Sequence, residues 1–207
     1  MKKNAYLLSI FLLISSFMVF MPKIALAQDP VSMLDSVAQR MISSLKTNKA
    51  TLRTNPSIVY SLAYKIVVPH ADLDVMARNV LPPQTWTQAT AAQRAAFKQE
   101  FTTLLVRTYA SALAEYTDQT VRFYPVRGGY QGKSNVDVNS TIVRTDGPNI
   151  TVNYKVVSAG SQWKLYDMTV EGISMLQSFK SQFADKLSKG NIADLISALK
   201  QHNANNS

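Results

Sequence analysis

The hydrophobic period changes once along the chain, and that change fixes the fold class. Up to Tyr116 apolar residues recur at the three-and-four spacing of helices, whereas from Val121 to Val170 they recur at every second position, as in strands with one buried face. Val136, Val138, Ser140 and Ile142 alternate with Asp137, Asn139 and Thr141, and Ile150, Val152, Tyr154 and Val156 alternate with Thr151, Asn153 and Lys155. Thr145-Asp146-Gly147-Pro148-Asn149 and Ser158-Ala159-Gly160-Ser161 read as hairpin turns between these runs. A short run from Val121 to Pro125 comes before them, and a run from Trp163 to Val170, with Tyr166, Met168 and Val170 on one side, comes after. Connections this short exclude parallel crossovers, so the four strands form an antiparallel meander with one apolar face. The expected fold is α+β: a helical N-terminal half and C-terminal helices around a curved four-stranded antiparallel sheet.

The helical half divides at its breakers. A first helix covers Pro30 to about Leu45, with Val31, Leu34, Val37, Ala38, Met41, Ile42 and Leu45 on one face. Asn55-Pro56 precedes a second, Ser57 to about Val67; Asp72 opens a third through Val75, Met76, Ala77 and Val80, which Pro82-Pro83 stops. Thr90-Ala91-Ala92-Gln93 has the form of a capping box, in which each side chain bonds the other residue's backbone N–H. It opens a long helix with the stripe Phe97, Phe101, Leu104, Leu105, Tyr109, Ala112, Leu113 and Tyr116. Beyond Gly172, Ile173, Leu176, Phe179, Phe183 and Leu187 form another helical stripe, and a last helix runs from Ile192 to about Gln201.

The first 27 residues read as a processing signal. Lys2 and Lys3 precede an apolar run from Tyr6 to Met21, too short for a spanning helix, and Ala25-Leu26-Ala27 offers a small-x-small cleavage site. Cleavage after Ala27 is expected, which places the mature protein outside the cytoplasm. One domain should cover 28–202, followed by a polar tail at 203–207.

Little in the chain is suited to catalysis. The absence of cysteine removes disulfides, thiolate metal sites and thiol nucleophiles. His70 lies near Asp72 and Asp74, but carboxylates at a helix start cap backbone N–H groups, and that structural role is the one expected here. Asp167 and Glu171 are the acidic pair near a strand end; alternation turns Asp167 away from the apolar face, so a structural or partner-binding role is expected of it, not general acid–base work. The net charge of +9 comes from singly scattered residues such as Arg40, Lys65, Arg94 and Arg107, a distribution without the clustering that nucleic-acid binding uses. Methionines and aromatics are plentiful on the inward faces, Met33, Met41, Met76, Met168 and Met175 among them; they suit either an ordinary core or a wall that accepts varied apolar ligands.

Two segments carry a resemblance. Ala89-Thr90-Ala91-Ala92-Gln93-Arg94 with its aromatic stripe, and Tyr166-Asp167-Met168 followed by Glu171-Gly172-Ile173-Ser174, resemble the MlaC/toluene-tolerance family of periplasmic phospholipid-transport proteins, as does the order of segments from about Val31 to Leu199. The resemblance implies a carrier, not an enzyme, that holds a phospholipid as cargo by its acyl tails in an apolar cavity. No other cofactor is implied. It further implies handover between an outer-membrane lipoprotein complex and an inner-membrane ABC transporter with its lipid-binding ring, in a system that maintains outer-membrane lipid asymmetry. At about 0.8 kcal/mol per CH₂, two tails of about 30 methylenes would lose on the order of 24 kcal/mol in water, so the enclosure must be nearly complete.

On that reading Val138, Ser140, Ile142, Val152, Tyr154, Tyr166, Met168 and Val170 form the sheet wall, with room for a tail beside the small Ser140. Met76, Val80, Phe101, Leu104, Leu105, Ile173, Leu176 and Phe179 close it from the helices. Two other readings stay open: a periplasmic adaptor with a packed interior that binds only proteins, and a small-ligand enzyme on a cone-shaped α+β fold.

Overall fold

The computed structural model describes residues 29–114, 119–144 and 147–205; the expected signal segment 1–27, Tyr116 and part of the 145–149 turn lie outside them. The elements follow the order α1 (Pro30–Thr47), α2 (Lys49–Thr54), α3 (Ile58–Ile66), a 3₁₀ turn (Val68–His70), α4 (Leu73–Val80), α5 (Pro83–Gln88), α6 (Ala91–Ala114), β1 (Thr120–Phe123), β2 (Asn135–Val143), β3 (Ile150–Ala159), β4 (Gln162–Val170), β5 (Ile173–Ser174), α7 (Met175–Leu187) and α8 (Ile192–Asn205). The sheet is an antiparallel meander in the order β1-β2-β3-β4-β5. It thus has five strands where four were expected.

The added strand changes one expectation about Ile173. This residue does not begin a helical stripe: it pairs with Val170 in β5, and the helix starts only at Met175. Two further helices were not anticipated. Pro82-Pro83 ends α4, but Pro83 also occupies the first turn of α5, where its missing N–H costs nothing. The six residues of α2 carry too short a pattern to reveal a period.

Helix starts follow their caps. Asp29 accepts from Ser32 N at 2.9 Å, Asp72 from Val75 N at 2.9 Å and Ser174 from Gln177 N at 3.0 Å. The capping box of α6 forms in both directions, Thr90 N donating to Gln93 Oε1 at 2.9 Å and Gln93 N to Thr90 Oγ1 at 3.2 Å. Thr90→Ala is expected to lower stability by about 1 kcal/mol, a fall in melting temperature of about 2–4 °C in a thermal scan.

Arg94 ties α5 to this start. Its guanidinium donates to Trp86 O at 2.9 Å and Thr87 O at 3.0 Å, and stacks over the Trp86 ring at 5.2 Å. At the other end of the chain α8 runs to Asn205, past the expected limit at Gln201. Asn203 is buried against α6: its Nδ2 donates to the backbone O of Glu100 at 3.0 Å and to Oε2 of Glu100 at 2.8 Å, and its backbone O accepts from Arg107.

The buried apolar residues form two clusters that share α6. One joins α4, α7, α8 and the first part of α6. The other joins α1, α3, Val106 and Ala110 of α6, and the sheet. A helix placed between two clusters needs apolar residues on more than one side, which is why Val106 and Ala110 are buried off the expected stripe. Ala112, assigned to that stripe, is exposed instead.

Candidate functional site

The register of the sheet arranges its inner face in rows. Directly paired residues of antiparallel strands project to the same side. One row is therefore Val136, Val156 and Leu165; the next is Val138, Tyr154 and Met168; the third is Phe123, Ser140, Val152, Val170 and Ile173. Ile142 pairs with Ile150 beyond them. Six of the eight residues expected in the sheet wall lie in these rows, and Ile142 continues the same face beyond them. Val138, Ser140 and Val152 are buried, whereas Ile142, Tyr154, Met168 and Val170 are partly so.

Tyr166 is the exception. Between Lys155 and Val156 the register slips, so that Asp167 pairs with Lys155 but Leu165 with Val156, leaving Tyr166 as the extra residue of a bulge. The bulge resets the alternation. Leu165 and Trp163 thereby join the inner face, which unbroken alternation had turned outward, while Tyr166 packs with Met168 against the helical cluster.

The inner face carries one polar pair. Ser140 Oγ and Tyr154 OH lie 3.2 Å apart and satisfy one another. Burial raises the Tyr154 phenol above its ordinary value, and the bond to Ser140 partly offsets this. Ser140 thus makes a hydrogen bond that neither of its anticipated roles, tail room or helix contact, had included.

The helix residues expected to close the wall meet it only along β4, where Tyr166 and Met168 pack against them. Met76, Val80, Phe101, Leu104, Leu105, Leu176 and Phe179 belong to the first cluster, whereas Val138 and Tyr154 belong to the second. Phe101 stacks on Phe97 with ring centroids 5.6 Å apart and meets Phe179 edge-on at 5.5 Å and Phe183 at 5.6 Å, a close-packed aromatic centre. The residues that share the sheet's own cluster are Met33, Val37 and Met41 of α1, Val59 of α3, and Val106 and Ala110 of α6. Met33 and Met41 are among the methionines expected on inward faces, Met41 by its place in the stripe of the first helix, without any indication of which surface they meet. Ile173 lies on neither helix and is 68% exposed.

The main backbone approaches between helices and sheet fall near its edges, α1 on β1 and α4 and α7 on β4. Among the described residues, Val152 is buried at 3% exposure yet packs into neither cluster. On the opposite face a cleft of about 550 Å³ is lined by Arg127, Lys133, Asn135, Asp137, Asn139 and Asn153 with Val126 and Val136. That lining suits water and polar groups, not hydrocarbon.

The polar residues weighed for chemistry have structural partners. Asp72 caps α4, and Asp74 pairs with Lys98 at 2.8 Å. Among the described residues no group of three or more His, Asp or Glu could hold a metal ion. His70 Nε2 lies 2.7 Å from an Arg40 guanidinium nitrogen, which must donate to it. Burial, and after it the charges of Arg40 and Lys164, hold the His70 imidazole below the ordinary 6.5. The folded protein then favours the neutral ring, so the unfolded chain takes up the proton first as pH falls through about 6.5. Stability contributed above that pH is lost below it. Between about pH 7.5 and 5.5 the wild-type melting temperature is expected to fall further than that of His70→Gln.

Asp167 is buried on the face away from Met168 and accepts three hydrogen bonds: Met168 N at 2.9 Å, Leu176 N at 3.1 Å and Ser174 Oγ at 2.8 Å. These bonds fasten the start of α7 to β4, the structural role that alternation had suggested. Glu171 is clamped to β3: its N–H donates to Thr151 O at 3.1 Å, and its carboxylate accepts from Thr151 N and, at 2.8 Å, from Thr151 Oγ1. These bonds hold its carboxyl below the usual glutamate value.

Known proteins match this arrangement along most of its length. The chain is 28% identical over 169 residues to the toluene tolerance protein ttg2D of Pseudomonas putida, covering 81% of this chain and 78% of that one. It is 25% identical over 192 residues to the intermembrane phospholipid transport system binding protein MlaC of Haemophilus influenzae, covering 91% and 88%. The fold superposes with a TM-score of 0.79, at 29% identity, on a phospholipid-binding protein from Ralstonia solanacearum solved in complex with a phospholipid, covering 86% of this chain and 99% of that one. The MlaC protein family matches residues 35–201, a span that includes the whole sheet and both core clusters apart from Met33 and Leu34, and the chain therefore belongs to the MlaC family.

Proposed function

We infer that this protein is a periplasmic phospholipid carrier that holds acyl tails against the inner face of its sheet. The observation that carries the reading is the likeness, over almost the full length of both chains, to a phospholipid-binding protein solved with its lipid. The inner face has the composition that holding acyl tails needs: apolar rows whose one polar pair is self-satisfied. Hydrocarbon transfers between bilayer and such a wall with little net change, so affinity is a small difference of large terms. Direction then comes from docking partners: an outer-membrane lipoprotein complex on one side and an inner-membrane ABC transporter with its lipid-binding ring on the other. No step requires a catalytic residue.

The test is solvent extraction of protein purified without detergent, followed by mass spectrometry. About one diacyl phospholipid or more per chain is expected. A clean extract would overturn the carrier reading in favour of a packed adaptor.

A further inference from the structure

One row of the inner face runs from the buried interior to open solvent. Across the strand pairings Ser140↔Val152, Val152↔Val170 and Val170↔Ile173, exposure rises from 2% at Ser140 and 3% at Val152, through a partly buried Val170, to 68% at Ile173. Three strand spacings span about 14 Å. The row is apolar after Ser140, so a line of apolar side chains crosses the sheet from buried Val152 to its exposed edge.

Ile173 is held in this position. Glu171 and Gly172 both have positive φ, +48° and +84°, the conformation of a tight two-residue hairpin turn, and Glu171 is the one such non-glycine residue among those described. The Glu171 clamp on Thr151 ties the turn to β3, and the bond from Ser174 to Asp167 ties the strand behind it. A large apolar residue at a frayed strand end would need no explanation. Ile173 is instead fixed in solvent by a left-handed turn and by bonds on both sides.

We propose that the β4–β5 hairpin is the lip of the entrance through which phospholipid acyl tails enter and leave, with Ile173 touching the tail in transit. This rests on the carrier reading and adds to it which edge of the sheet is open. A residue touched only in transit changes the barrier and not the end states. Its replacement should therefore slow uptake and release alike while leaving the equilibrium load unchanged.

Ile173→Glu tests this, with Tyr64→Glu as a control that removes another exposed apolar group, 41% exposed on α3. Uptake of a fluorescent phosphatidylglycerol from phosphatidylglycerol vesicles, and its release to acceptor vesicles, are expected to slow at least fivefold in Ile173→Glu and to stay at the wild-type rate in Tyr64→Glu. Lipid co-purifying with either variant should equal that of wild type. Because the chain has no cysteine, Ile173→Cys gives a single labelling point at an exposed site. A fluorophore there should be quenched more by phospholipid with a spin label near the headgroup end of its tail than by one labelled near the methyl end. Wild-type transfer rates in Ile173→Glu, equal slowing in both variants, or stronger quenching by the methyl-end label would each overturn the proposal. If wild type itself carries and takes up no lipid, the carrier reading fails and the entrance falls with it.

Discussion

Asp167→Ala is expected to destabilise the protein by about 3–5 kcal/mol, as much as truncating a buried aromatic. Asp167 is 6% exposed, and loss of its carboxylate leaves Met168 N, Leu176 N and Ser174 Oγ without their acceptor. Hydrogen bonds to a charged acceptor contribute about 1.5–3 kcal/mol each, and a buried donor left unmatched costs about 1–3 kcal/mol. The three bonds form one unit, so their losses do not simply add. The network also extends further: Ser174 Oγ donates to Asp167 and accepts from Gln177 N, so losing the carboxylate frees the rotor that caps α7. At about 2–4 °C per kcal/mol the melting temperature should fall by about 10 °C. Asp167→Asn keeps one acceptor oxygen and should lose about half as much. A change under about 1 kcal/mol in Asp167→Ala, measured by urea unfolding, would show that water replaces the carboxylate and that α7 is fastened by other contacts.

The Asp167 case also shows how far alternation can be read. Counting by twos from Met168 placed the carboxylate off the apolar face correctly, because no irregularity lies between them. Two residues earlier the same count fails at Tyr166, since a bulge leaves no signature in a run as short as Trp163 to Val170. Turn chemistry at Gly172 announced the end of β4, but the two-residue strand beyond it was hidden: Ile173 fits the three-and-four spacing of the helix that follows. The capping box at Thr90 and Gln93 was fully legible because both of its bonds are local. Helical periodicity likewise found the faces of Phe101, Leu105 and Phe179. It did not show that these faces meet one another and, of the wall, only Tyr166 and Met168, because period identifies a buried side and not the surface opposite it. The reach of α8 to Asn205 depends on a contact between Asn203 and Glu100, 103 residues apart in the chain, which no local pattern encodes.

That division of the apolar residues makes two tryptophan substitutions behave differently, and the contrast bears directly on where the tails lie. Val152 is on the inner face of the sheet outside both clusters, whereas Leu105 is within the cluster that includes Phe97, Phe101 and Phe179. An indole at 152 is expected to take the space of about four methylenes of bound tail, and at about 0.8 kcal/mol each the lipid loses about 3 kcal/mol of enclosure. Bilayer hydrocarbon offers the tail nearly the same environment as the protein, so this loss is felt in full, and the lipid retained against vesicles should fall about a hundredfold. If the tails lie against this face, the fold should tolerate the change, because the new ring takes the place of the tail. Leu105→Trp forces the same ring into close-packed aromatics, for which overpacking costs about 1–3 kcal/mol, so it should lower the melting temperature while the folded fraction keeps its lipid. Lipid per folded chain, measured by extraction and mass spectrometry alongside thermal melts, separates the two. If Val152→Trp retained its full load and lost stability instead, the sheet face would be part of a filled core and the tails would have to lie elsewhere.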